Sequence, residues 1–247
     1  IDEDEALLSI DNTIYTIESF DITSVRASTM QFMIAKYIQK HTNVRVSFVG
    51  ELSDEIFAGY LYNHYAPNKE ECRKDGIRLV KDAHTKDGLR TDRTMADNGL
   101  EVRLPFSDPE LIDYVFSLPE EYTMPKDGLE KFLLREAFRD QNIIPESVRI
   151  RTKNAFSDAV STKERSWYQV IQEYIETVVS EEEYLREKDK FTHCTPFTKE
   201  SYYYRKKFVE YFGDSEDIAK LIPYFWMPKW TSETLDPSAR TLKVYRE

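Results

Sequence analysis

The sequence predicts a helix-rich α/β fold, and three observations lead there. Apolar residues recur at helical spacing along most of the chain. Only one or two short runs read as strands. One of these, Val44-Arg45-Val46-Ser47, passes through Gly50 into a helical pattern at Ser53. An autonomous α/β domain builds a sheet of about five strands. Folds that cradle phosphate also use flexible glycine loops, yet this chain has 7 glycines in 247 residues. Part of a sheet is therefore expected to lie outside these residues.

The elements follow in order. Residues 1–17 open on Asp2, Glu3, Asp4 and Glu5 and continue with Leu7, Leu8, Ile10, Ile14 and Ile17, which predicts a helix with an acidic first turn. Thr23-Ser24 precede a second helix, with Met30, Met33, Ile34, Tyr37 and Ile38 on one face. A strand is expected near 44–49, then the helix from Ser53, then a loop over Asn63–Asn68 broken by Pro67. Helical patterns return near 69–83 and 85–97. Gly99–Phe106 reads as extended, ended by Pro105. Further helices are expected near 109–117, 129–140 and 163–179, punctuated by Pro119, Pro125 and Pro145. A Tyr-rich helix covers Tyr202–Phe212, and Tyr224–Trp230 follows. Those aromatics read as core packing. No internal repeat, low-complexity run or linker interrupts the chain.

Composition narrows the function classes. A hydrophobic fraction of 40% is enough for a sizeable core. The net charge of −11 argues against a general nucleic-acid binder and against docking on an anionic membrane. Cys72 and Cys194 are far apart with no CxxC, so neither a disulfide framework nor a zinc site is expected, and a reduced cytoplasmic setting is the simplest reading. No apolar run reaches the ~18 residues of a membrane span, and there is no signal peptide. The first residue is Ile, which reads as a processed, trimmed or fragmentary chain.

Chemistry concentrates at Phe48–Tyr60. A strand that ends in Gly and opens a helix with Ser53-Asp54-Glu55 points free N–H groups and a positive helix end at an anion. The carboxylates of Asp54 and Glu55 in that first turn suit a divalent cation. The combination fits a nucleotide polyphosphate carried with Mg²⁺. Four further polar segments stand out: Asp87–Arg93, the alternating pair Glu101 and Arg103, Arg151–Asp158, and Asp236–Arg240. Carboxylates for Mg²⁺ together with Arg and Lys for phosphate charge are what an adenylation site needs.

With those motifs in view, the chain resembles the synthetase domain of eukaryotic-type, glutamine-hydrolysing asparagine synthetases. The resemblance rests on FDITSVRAS (Phe20–Ser28), GELSDEIFAGYLY (Gly50–Tyr62), LRTDR (Leu89–Arg93), GLEVRLPFSD (Gly99–Asp108), LEKFLLREAF (Leu129–Phe138), KNAFSD (Lys153–Asp158), YYYR (Tyr202–Arg205) and WMPKW…DPSARTL (Trp226–Leu242). It implies an ATP-pyrophosphatase fold, of which residues 1–247 are the C-terminal portion. It also implies MgATP activation of aspartate to β-aspartyl-AMP, followed by displacement of AMP by ammonia. The ammonia comes from glutamine at a separate N-terminal glutaminase domain, and a homodimer is compatible with the family. Residue by residue, Glu51 falls on the Glu tied to the adenylate and suits a base for ammonia. Lys153 falls on the Lys that offsets phosphate charge. Val49, Gly50 and Ser53 fall on ATP contacts, and Asp54 lies near pyrophosphate and Mg²⁺. Asp87, Arg90 and Arg103 line the same cleft.

The departures from the family pattern carry their own expectations. Val49 replaces a Ser and removes a hydroxyl. Leu52 replaces a Gly, which predicts a loop that does not enter positive φ. Ile150, Asn154 and Ala159 stand where Trp, Glu and Gly are usual. The Ser-Gly-Gly-x-Asp-Ser pyrophosphate loop is absent from these residues, so the chain in isolation is expected to be inactive. A non-catalytic scaffold relative is the alternative reading, and a β-lactam-forming synthetase is a third.

Overall fold

The computed structural model describes residues 2–141, 143–162, 164–232 and 234–245. They divide into two compact units, each assembled from three segments of chain. The first comprises Ile1–Ser47, Thr85–Val102 and Phe156–Trp226; the second comprises Phe48–His84, Arg103–Ala155 and Met227–Glu247.

The first unit is built on the helix Ile22–His41, whose N-terminal two-thirds is buried on nearly every side. The helix starts one residue ahead of Thr23-Ser24 because Asp21 caps it. Its Oδ2 accepts the Ser24 N–H at 3.0 Å and the Ser24 hydroxyl at 2.8 Å. The other oxygen, Oδ1, accepts Lys86 Nζ at 3.0 Å and the Trp226 N–H at 2.7 Å. One buried carboxylate thus ties three distant stretches of sequence together. Further along the same helix, Arg26 meets the buried Glu200 through two bonds, Nε at 2.7 Å and Nη2 at 2.6 Å.

The single helix expected over residues 1–17 is two, Glu3–Leu8 and Ile10–Ile17. Ser9 lies between them, its N–H shared between Glu5 O at 3.2 Å and Ala6 O at 3.1 Å. Ile10, Ile14, Ile17 and Phe20 enter one core with Trp167, Ile171, Ile175, Tyr202, Tyr204 and Phe208. The Tyr-rich segment is therefore core, as its spacing predicts. The helix Asp87–Ala96 packs on Ile22–His41, where Gln31 Nε2 donates to Thr91 Oγ1 at 3.1 Å. The helix Glu181–Glu187 was not anticipated; its run of glutamates reads as solvated surface rather than as an element.

The second unit has its own core of Ile56, Phe57 and Val115, flanked by Val80, Leu111, Ile112, Phe116 and Leu133. The helices Lys69–Asp82 and Pro109–Ser117 lie where the sequence places them, capped by Asn68 and Asp108. The helix expected over 129–140 shrinks to Phe132–Glu136. Asp127, Gly128 and Lys131 all sit at positive φ, which bars an earlier start. Buried Asp75 gathers Tyr62 Oη at 2.7 Å, Arg78 Nε at 2.8 Å and Lys229 Nζ at 2.9 Å.

Strands β1 (Val46–Phe48) and β2 (Glu101–Arg103) pair as a two-stranded sheet. Glu101 N–H donates to Arg45 O at 2.8 Å and Val49 N–H to Arg103 O at 3.0 Å. The numbering rises together on both strands, so they run parallel. Phe48 is 76% exposed and Val46 is 46% exposed, unusual for parallel strands, which are normally covered on both faces. Among the described residues, no helix is long and apolar enough to cross a membrane.

Gly76 sets the spacing inside the second unit. A Cβ there would lie 2.7 Å from the backbone oxygen of Glu55. Gly76→Ala is expected to destabilise the protein by about 1–3 kcal/mol, the range for overpacking a close contact, measured by urea unfolding. An unchanged midpoint would show that the two elements move apart at no cost.

Candidate functional site

The helix expected from Ser53 is a single turn, Ser53–Ile56. Ala58 at φ 49° ends it, with buried Gly59 behind. A Cβ on Gly59 would fall 2.0 Å from Asp54 Oδ1 and 2.6 Å from Lys131 Cε. One turn carries little of the aligned dipole that a longer helix offers an anion. The Ser53 N–H also turns inward, to Gly50 O at 3.3 Å. A tight turn over Gly50–Ser53 positions this segment.

In that turn Leu52 sits at φ 71°, ψ −10°, the dihedrals of the third residue of a type II turn, where Gly or Asn is preferred. The expectation that a leucine keeps the loop out of positive φ is therefore wrong. A non-glycine residue in the left-handed region costs about 1–2 kcal/mol. The Leu52 side chain is 8% exposed, and burying a leucine returns roughly 1.5–3 kcal/mol. Burial outweighs strain, so the glycine-like turn survives the substitution.

Ser53 Oγ donates to Gly50 O at 2.6 Å and accepts from Lys131 Nζ at 2.9 Å. The same ammonium is 3.0 Å from Asp54 Oδ1. Gly50 is exposed, with no atom within 4 Å of where a Cβ would stand, so its backbone is open to a ligand. Val49 is bonded through its N–H beside exposed Arg103. Lys153 reaches the far end of the segment, with Nζ 4.9 Å from the Tyr60 ring centroid. Tyr60 Oη in turn donates to the buried Glu55 at 2.5 Å, so Glu55 is spoken for within the fold. Val49, Gly50, Glu51, Ser53, Asp54, Arg103 and Lys153 thus belong to one unit. Asp87 and Arg90 belong to the other, where they form an ion pair one helical turn apart.

Sequence reasoning did not single out Lys131, Tyr60, His64 or Glu130. Lys131 and Glu130 were present only within the LEKFLLREAF stretch. Glu130 is 1% exposed. Its Oε1 lies 2.7 Å from His64 Nε2, and its Oε2 accepts the Lys153 N–H at 3.4 Å. Burial pushes the Glu130 carboxyl up, but the hydrogen bonds from His64 and from backbone N–H groups outweigh it and hold the group below its ordinary value. Burial, seconded by Asp75, pushes the Cys72 thiol up to about 11, which makes it an inert core residue.

Mg²⁺ prefers one or two carboxylates plus phosphate oxygens to an all-protein cage. Among the described residues no three potential ligands gather. Asp54 alone, at the rim of the turn and already facing one cation, fits an ion that arrives with a nucleotide rather than a resident metal.

The asparagine synthase family model matches residues 1–81 and 66–237, and the chain belongs to that family, whose members have the ATP-pyrophosphatase fold. The relatives it matches include glutamine-hydrolysing asparagine synthetases from Cricetulus griseus and Homo sapiens, each 44% identical, and from Gallus gallus, 42% identical. Each match runs over 243 residues, 98% of this chain and 43% of the relative. The chain therefore spans less than half the length of the curated relatives it matches.

Because the Glu130 carboxyl is held low in the folded state, its contribution to stability is present above the ordinary carboxylate range, about 4.3. It is lost as pH falls through the lower, folded value. Denaturant unfolding of wild type and Glu130→Gln is expected to show a gap at pH 7 that closes below about pH 4. A gap independent of pH would mean that the charge of Glu130 is not what stabilises the fold.

Proposed function

We infer that this chain carries part of the ATP and aspartate cleft of an asparagine-forming synthetase. In that reaction a side-chain carboxylate oxygen of aspartate attacks the α-phosphorus of ATP. The bond to the β-phosphate oxygen breaks, giving β-aspartyl-AMP and pyrophosphate. Ammonia then adds to the acyl carbon, loses a proton and expels AMP.

Lys153 and Lys131 offset the negative charge that moves onto the α-phosphate and the departing pyrophosphate. Glu51 takes the proton from attacking ammonia. The open backbone at Gly50, with Val49 and Ser53, receives the nucleotide, and Asp54 meets its Mg²⁺. Arg103, in the same unit, adds to the polar lining. The observation that carries this reading is Lys153, which is far from the Val49–Tyr60 segment in sequence yet holds its ammonium 4.9 Å from the Tyr60 ring centroid.

The relatives' description as glutamine-hydrolysing supports glutamine as the ammonia source, at an N-terminal glutaminase domain in the longer protein. The exposed side chains of Val46 and Phe48 support a further layer packed on that face of the sheet. Free Cys72 and Cys194 fit a cytoplasmic setting. A second copy of the chain remains a partner in this reading. Leu52 adopts the backbone that a glycine would, which removes one of the two grounds for a non-catalytic relative.

The test is aspartate-dependent ATP–pyrophosphate exchange in the full-length protein. Lys153→Ala is expected to slow it by about 10²–10³-fold, the usual loss on removing one transition-state electrostatic contact. Wild-type-like turnover of that variant would refute the role given to Lys153.

A further inference from the structure

Lys153 is held at two points, and both lead back to one short turn. Its ammonium lies over the ring of Tyr60, and its backbone N–H donates to Glu130 Oε2 at 3.4 Å. Tyr60 immediately precedes the 3-10 turn Leu61–Tyr65 and is fixed to it by its own N–H, which donates to Asn63 Oδ1 at 2.9 Å. The fourth residue of that turn is His64, which holds the other oxygen of Glu130 at 2.7 Å. Glu130 is fixed from a third side, because its own carbonyl accepts Arg135 Nε at 2.8 Å. The carboxylate is 2% exposed and His64 is 21% exposed. A carboxylate this deep is retained only if each oxygen has a donor. Its donors here include an imidazole on the turn and the backbone of the lysine.

We propose that His64 and Glu130 are positioning residues for Lys153, an imidazole–carboxylate strut that fixes the lysine backbone while Tyr60, from the same turn, aims the ammonium. The inference rests on the synthetase reading for what Lys153 does, and on this geometry alone for how it is held. The backbone of residues 151–155 has no helix or strand of its own. Without the strut, the contact with Tyr60 would be left to direct the side chain. A lysine that acts mainly as charge builds on phosphate needs its position most in the transition state. Loss of the strut therefore falls on kcat, with KM for ATP and aspartate little changed.

The experiment compares the full-length wild type with Glu130→Gln, His64→Leu and His64→Gln. Two readouts are taken: hydrogen exchange at the Lys153 amide, and the kinetics of aspartate-dependent ATP–pyrophosphate exchange. Glu130→Gln and His64→Leu are expected to speed exchange of the amide by about tenfold or more. They are also expected to lower kcat by about 10–100-fold, the scale of a misplacement near 1 Å. In His64→Gln the amide nitrogen takes the place of Nε2, so both readouts return toward wild type. His64, only partly buried, keeps the comparison alive if Glu130→Gln does not fold. Unchanged amide rates in folded His64→Leu would overturn the strut. Faster amide exchange with kcat intact would overturn its positioning role. A wild type with no pyrophosphate exchange would overturn the synthetase reading, and the amide rates alone would then decide whether His64 and Glu130 hold Lys153.

Discussion

The constraint on which the rest of the structure depends is that a carboxylate removed from water must find cations or donors for both of its oxygens. Asp21, Asp75, Glu130 and Glu200 are each 2% exposed or less. Leaving any one of them unpaired would cost several kcal/mol, comparable with the whole stability of a domain. Their partners are far away in sequence: Lys86 and Trp226 for Asp21, Lys229 for Asp75, His64 and Lys153 for Glu130, Arg26 for Glu200. Each unit is stitched from three discontinuous segments, and in each the stitching runs through these anions. Apolar burial supplies the driving force. The carboxylates select which segments may meet.

The candidate site inherits its geometry from that frame. The turn Gly50–Ser53 is shaped by backbone hydrogen bonding and by the burial of Leu52, not by a helix dipole. Behind it, the missing side chains of Gly59 and Gly76 let Asp54, Lys131 and the Lys69–Asp82 helix approach within distances that a methyl group would forbid. Cations then arrive from two other stretches of the second unit, Lys131 beside Ser53 and Asp54, and Lys153 over Tyr60. A polar cluster of this kind is costly for stability and useful for phosphate chemistry.

Much of this was legible in the sequence. The helices at Lys69–Asp82, Asp87–Ala96, Pro109–Ser117 and Trp167–Val178 follow their periodicity and caps. The scarcity of strands was also readable, and so was the importance of the Gly50–Tyr60 stretch, because its motif is local. The failures have physical causes. The helix divides at Ser9, whose N–H is shared between two carbonyls, a detail that periodicity does not register. Leu52 takes a glycine conformation because tertiary burial overrides local preference. Glu130 and His64 stayed hidden because they lie 66 residues apart and nothing in either's local pattern marks a partner.

The central claim is that Lys153 faces a nucleotide phosphate when the site is filled. The measurement that tests it most directly is amine-reactive labelling of the full-length protein with and without saturating MgATP, read by mass spectrometry. Lys153 is expected to label slowly once the nucleotide is bound, while exposed Lys40 labels at the same rate in both conditions. Equal labelling of Lys153 with and without bound nucleotide would contradict the assignment.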